Sequence, residues 1–192
     1  LLELVNNESR TDIKSKNVKG ALGSIIAYKW LDQVIEDEKI IISIDDPVTR
    51  KWLNFRTGGR RADFLVVKFH EDDSLAFEVV EVKTVDDPEP TKFKIEDGEI
   101  EGDVVDQLSV TTSTIRALFT ETSSLTSSPR MEVLKEQIFD ELKDRDDLSR
   151  KEEWVSRMNN IFNSDEGEIP QVGIDPRLVS VEINNRAKTS EN

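Results

Sequence analysis

Asp63, Glu81 and Lys83 are the residues of this 192-residue chain whose types and spacing could do chemistry together. Asp63 stands near the start of one apolar run, Ala62–Phe69, and Glu81 and Lys83 stand near the end of the next, Leu75–Val85. If these runs pair as antiparallel strands through the polar link His70-Glu71-Asp72-Asp73-Ser74, the start of one lies beside the end of the other. Side chains two apart in a strand share a face, so Glu81 and Lys83 point the same way and ordinary register sets Asp63 opposite Glu81. Two carboxylates held together repel. A divalent magnesium ion, with its preference for hard oxygen ligands, relieves that repulsion, and the Val82 backbone carbonyl and water complete its shell.

The elements that must position these groups can be read from periodicity. Ala21, Leu22, Ile25, Ile26, Trp30, Leu31 and Val34 recur at helical spacing and predict a helix over Val18–Ile35. Gly20 and Gly23 weaken that helix but let a neighbouring backbone come close, so tight packing on a sheet is the favoured reading of them. Strands are predicted at Ile40–Ile44, Ala62–Phe69 and Leu75–Val85, with a small hairpin around Phe93 and Ile95. A helix follows from Asp103 through Phe119; its Ser/Thr-rich middle, Ser109–Thr114, predicts either a break or a close polar contact. Pro129 marks a further helix start, and Ser149 with Glu152 is spaced as a capping box for another. Leu178–Ile183 resembles a final strand, and Arg186–Asn192 a loose tail. The order predicts an α/β fold: a central mixed β-sheet flanked by helices, with a core over 14–128 and a C-terminal helical extension with a late strand over 129–186.

Composition narrows the function classes. The formal net charge of −14 opposes simple phosphate binding, so a DNA-binding reading needs basic residues gathered on one face, a metal, or a partner subunit. The absence of cysteine excludes disulfides, thiolate zinc sites and cysteine nucleophiles, and is compatible with a cytoplasmic setting. No apolar run approaches a membrane span. The start, Leu1-Leu2-Glu3-Leu4, resembles neither a signal peptide nor a natural initiation, and suggests a fragment cut from a longer chain or a chain whose disordered start is missing, so that a protein partner or the remainder of a larger multidomain chain is expected.

Asp63, then a strand and a turn, then Glu81-Val82-Lys83 within Phe77–Lys83, resembles the central motif of the PD-(D/E)xK nuclease superfamily. The resemblance covers roughly Val18–Phe119 and implies a restriction-endonuclease-like core. It implies Asp63 and Glu81 as ligands of magnesium, with manganese as a substitute, and Lys83 as the catalytic lysine beside the attacking water. The implied activity is hydrolysis of phosphodiester bonds by a metal-dependent DNA endonuclease, in a restriction or antiviral-defence setting. Ala62 replaces the motif's proline, a common departure. The first helix offers Ser24 at its middle and an acid, Glu36, only near its end, where many members carry a glutamate. That gap keeps a second expectation open: a catalytically silent nuclease-like domain that recognises DNA or scaffolds a complex. An acidic protein-interaction module is a third.

Gln107 echoes a glutamine of the RecB-like subgroup, although the tyrosine four residues later is replaced by Thr111. The expected roles of Gln107 are approach to a nucleotide or orientation of Lys83. Arg56, Arg60 and Arg61 surround the Gly58-Gly59 turn before Asp63 and are the candidate phosphate contacts; Lys14, Lys16 and Lys19 extend the basic surface. Double-strand cutting by a single-site enzyme benefits from two copies, so a homodimer joins DNA among the expected partners. His70, the sole histidine, reads as a solvated turn residue, and Tyr28, Trp30 and Trp52 as core aromatics.

Overall fold

Three strands rich in Ile, Val, Leu and Phe form the centre of the molecule because both of their faces are apolar. They are β1 (Lys39–Ser43), β2 (Phe64–Phe69) and β3 (Leu75–Val85). The computed structural model describes residues 2–35, 38–54, 61–70, 74–85, 93–96, 99–120, 129–144, 151–162 and 172–182, except the side chains of 2–17, 85, 93–96, 99–101 and 182. Counting β6 (Val172–Glu182), the sheet order is β1-β2-β3-β6. β1 and β3 each run antiparallel to β2, whereas β6 runs parallel to β3. A mixed α/β fold results, with a four-strand mixed sheet flanked by five helices among the described residues. β2 starts two residues later than the apolar run predicts, and β6 starts six residues before Leu178.

Strand alternation divides the core in two. Ile40, Ile42, Leu65, Val67, Phe77 and Val79 face α2 (Pro47–Leu53), α3 (Asp103–Thr120), α4 (Pro129–Asp144) and α5 (Lys151–Phe162). Ile41, Phe64, Val66, Val80, Val179 and Val181 face α1 (Leu2–Val34), which contributes Ala27 and Leu31. Each such side chain, fully buried, is worth about 1.5–3 kcal/mol. The segment beyond Pro129 shares the first cluster through Met131, Leu134, Ile138, Leu142, Trp154 and Met158. Buried polar contacts fix it further. Gln137 Oε1 accepts from Trp52 Nε1 at 2.8 Å, and Arg130 Nε donates to the Trp52 carbonyl at 2.6 Å, satisfying the end of α2.

α3 runs unbroken through its Ser/Thr-rich middle. The predicted hairpin forms as β4 (Phe93–Glu96) antiparallel to β5 (Glu99–Gly102). Of the expected core aromatics, Trp52 is fully buried, but Tyr28 and Trp30 are each 41% exposed. α1 covers the sheet with one narrow face; Trp30 lies off it, whereas the Tyr28 ring stands at its margin, 6.1 Å from the Phe64 ring between centroids. His70 is exposed, as expected. The capping residue Ser149 and the tail Arg186–Asn192 lie outside the described residues.

α1 extends well before Val18 and spans 33 residues. Lys39, at the start of β1, donates from Nζ to the carbonyls of Asp32 and Ile35 at 2.7 and 2.6 Å, tying the helix end to the sheet. No helix among the described residues is long and apolar enough to cross a membrane. The two glycines behave differently. A Cβ at Gly23 would lie 2.0 Å from Thr84 Oγ1, whereas one at Gly20 meets nothing within 4 Å. Gly23→Ala is therefore expected to destabilise by about 1–3 kcal/mol through overpacking, and Gly20→Ala to stabilise by about 0.5–1 kcal/mol through helix propensity. Urea denaturation of the two variants checks the opposite signs.

Candidate active site

The site forms where β2 begins and β3 runs past it. The Asp63 N–H donates to the Val80 carbonyl at 2.9 Å, and the Asp63 carbonyl accepts from the Ile44 N–H at 2.9 Å. The backbone of Asp63 is thus tied both to β3 and to the end of β1. Its carboxylate Oδ2 accepts the Val82 N–H at 2.7 Å. In an extended strand one residue's N–H and C=O project to the same side, so the Val82 carbonyl shares the Asp63 side of β3.

Glu81 lies on the α3 face of β3 with its side chain 2% exposed, and its Oε1 accepts from Lys83 Nζ. Its other oxygen, Oε2, is buried with no hydrogen-bond partner. Lys83 Nζ also donates to Gln107 Oε1 at 2.8 Å. Gln107 in turn donates from Nε2 to the Arg61 carbonyl at 3.1 Å. One helical turn later, the fully buried Thr111 accepts the Ala62 N–H at 2.9 Å. Residues four apart share a helix face, so one stripe of α3 holds both Lys83 and the backbone leading into Asp63. Thr111→Val removes the acceptor of a buried N–H and is expected to cost about 1–3 kcal/mol. Thermal denaturation of that variant measures the loss.

The electrostatics follow from burial and crowding. Burial pushes the Asp63 carboxyl up, as does the nearby Asp45 charge, while the Val82 N–H and Lys83 pull it back; the net direction is upward. Glu81 is raised to about 7, first by burial and then by the Asp63 charge, with Lys83 opposing both. At neutral pH the pair therefore holds a proton part of the time, as closely placed carboxylates do.

The structure brings Asp63, Glu81, Val82, Lys83 and Gln107 together. Of the basic candidates, the structure describes the side chains of Arg61 and Lys19. Arg61 is turned onto Asp45, donating from Nε at 2.8 Å, because that acid sits in the turn just after β1. It is therefore ion-paired where a phosphate contact was expected. Arg56 and Arg60 lie outside the described residues, as do the side chains of Lys14 and Lys16 on α1. Lys19 is half-buried and does not line the cavity at Asp63.

That cavity, of about 550 Å³, lies between α1 and the sheet edge and is lined in part by Ser24, Tyr28, Asp32, Asp45 and Asp63. Asp45 and Asp32 were missed as site residues. Burial would raise Asp45, but Arg61 and Arg50 hold its carboxyl below the ordinary value. Asp32 had a legible signal: Ser24, Tyr28 and Asp32 are four apart, so the acid missing at Ser24 occurs two turns later on the same stripe.

Among the described residues, no group of three or more His, Cys, Asp or Glu side chains is arranged to hold a metal ion. The donor set at Asp63 is a smaller one: two carboxylates, one with a buried oxygen lacking any partner, and the Val82 carbonyl. Magnesium commonly takes one or two carboxylates and fills its shell with water and phosphate oxygens, so the set fits such an ion. Compared with family models, curated proteins and solved structures, the chain matches none.

Proposed function

We propose that this chain is a divalent-metal-dependent DNA endonuclease domain with a restriction-endonuclease-like core of the PD-(D/E)xK type. The observation that carries the reading is the meeting of the Asp63 and Glu81 carboxylates with the Lys83 ammonium where β2 begins beside β3. Asp63, Glu81 and the Val82 carbonyl would hold the ion, magnesium or manganese. When bound, it supplies positive charge and Lewis acidity to a phosphodiester. Lys83, held by Glu81 and Gln107, stands ready to orient a water and to offset charge growing on the phosphate. Gln107 positions Lys83 rather than touching the reacting atoms. A restriction or antiviral-defence role in the cytoplasm, within a larger chain or beside a protein partner, is the setting this chemistry suits.

A second reading has its own support. Glu81 and Lys83 neutralise one another, and Arg61 is engaged by Asp45, an arrangement that also suits a catalytically silent nuclease-like domain that binds DNA or scaffolds a complex. Incubation with duplex and single-stranded DNA in magnesium or manganese separates the two. Metal-dependent scission that disappears in Asp63→Ala supports the enzyme; absence of scission in a folded protein that still binds DNA supports the silent domain.

A further inference from the structure

We infer that the cavity between α1 and the start of β2 receives one unpaired nucleobase of a single DNA strand, with Tyr28 as its stacking platform. The inference rests on the proposed nuclease reading, because Asp63 belongs both to the lining of that cavity and to the ion site. A strand whose phosphate lies at Asp63 therefore has the cavity within reach of a neighbouring base. One wall is α1, where Tyr28 stands between Ile25 and, one turn further on, Asp32. The other wall is the sheet, where the Phe64 ring lies 6.1 Å from the Tyr28 ring between centroids. Tyr28 and Ile25 are 41% and 57% exposed, so the cavity opens onto apolar surface that the described residues leave uncovered.

Size and charge decide the occupant. A volume of about 550 Å³ is in the range of pockets that enclose one small organic ligand. One base fits it, whereas a stacked and paired base inside a duplex is out of its reach. Three carboxylates line the cavity, Asp32, Asp45 and Asp63, against Lys29, while Arg61 and Arg50 are held on Asp45. That charge repels a phosphate. The N–H groups on a base edge instead find acceptors there. An aromatic ring completes the fit, since every base has a π-face and stacking is indifferent to sequence. Phosphate at the ion and Lys83, base against Tyr28: the arrangement selects unpaired strands over paired ones.

Fluorescence anisotropy of labelled DNA tests this on the full 192-residue chain, with calcium in place of magnesium. The probes are a mixed-sequence single strand, its duplex, and a strand of abasic sites of equal length and charge. The single strand is expected to bind at least about 10-fold more tightly than either of the others. Tyr28→Ala is expected to lose about 10-fold on the single strand and nothing on the abasic one, whereas Tyr28→Phe, which keeps the ring, stays within about twofold of the unaltered protein. Tyr28→Leu, apolar and helix-compatible but without a ring, gives the same loss and serves where the alanine variant fails to fold. Absence of single-strand binding overturns the inference. So does equal binding of the intact strand and either other probe, or a loss in Tyr28→Ala that is the same with and without bases. Scission in magnesium is followed separately. Binding through Tyr28 without cutting removes the nuclease reading and leaves the base pocket; cutting and binding that ignore Tyr28 do the reverse.

Discussion

Asp63→Ala and Lys83→Ala are each expected to reduce metal-dependent DNA cleavage by at least about 10²–10³-fold while leaving a cooperative fold. The two losses have different origins. Asp63 supplies one of two acidic oxygen donors, and its backbone is tied to Ile44 and Val80, so the loss is chemical rather than architectural. Lys83 is the sole ammonium bonded to both Glu81 and Gln107 among the described contacts. Asp63→Asn refines the test, since an amide oxygen still accepts the Val82 N–H but carries no charge for an ion. Cleavage rates set beside circular dichroism and melting curves distinguish lost chemistry from lost structure. Undiminished cutting by folded Asp63→Ala and Lys83→Ala proteins removes the site from the reaction.

Glu81→Gln is expected to stabilise the protein at neutral and alkaline pH, the reverse of what removing a buried ion pair usually does. Glu81 has its ordinary value near 4.5 when exposed and about 7 in the folded chain. A carboxyl raised on folding binds its proton more tightly in the native state, so the stability tied to that proton is complete below pH 4.5 and is lost as pH rises to about 7. At higher pH the folded protein carries a buried charge next to Asp63 that Lys83 offsets only in part. The neutral, isosteric glutamine escapes that cost and can still accept from Lys83. The gain is up to about 3 kcal/mol above pH 7, and it shrinks towards zero near pH 4.5. Denaturant titrations of both proteins across this range measure it; a difference that is flat with pH contradicts the raised carboxyl.

The β1–β2–β3 core was legible because apolar residues fill both faces of three short runs and a polar link joins the last two. From that pairing the meeting of Asp63 with Glu81 and Lys83 followed by alternation alone. β6 was legible only as a short late strand, since its parallel pairing with β3 joins residues almost a hundred apart and depends on tertiary packing. Thr111 looked like a defect in a motif, yet its hydroxyl secures the backbone before Asp63. That role lies in the contact between a helix and a distant loop, which no local pattern encodes. The pairing of Arg61 with Asp45 was not legible, because Asp45, sixteen residues earlier, gives no local sign of folding onto it. Tyr28 and Trp30 misled in another way: periodicity shows that a helix has apolar stripes but not which stripe meets the sheet.

The central claim is that Asp63 and Glu81 hold a divalent ion beside Lys83. Calorimetric titration of the full chain with manganese tests it most directly, in buffers of different ionisation enthalpy. One saturable site per chain is expected, lost in Asp63→Asn. Proton release on binding is expected near neutral pH, because an ion at Glu81 displaces the proton that its pKa of about 7 retains. Failure to saturate with DNA present, or equal binding by Asp63→Asn, contradicts it.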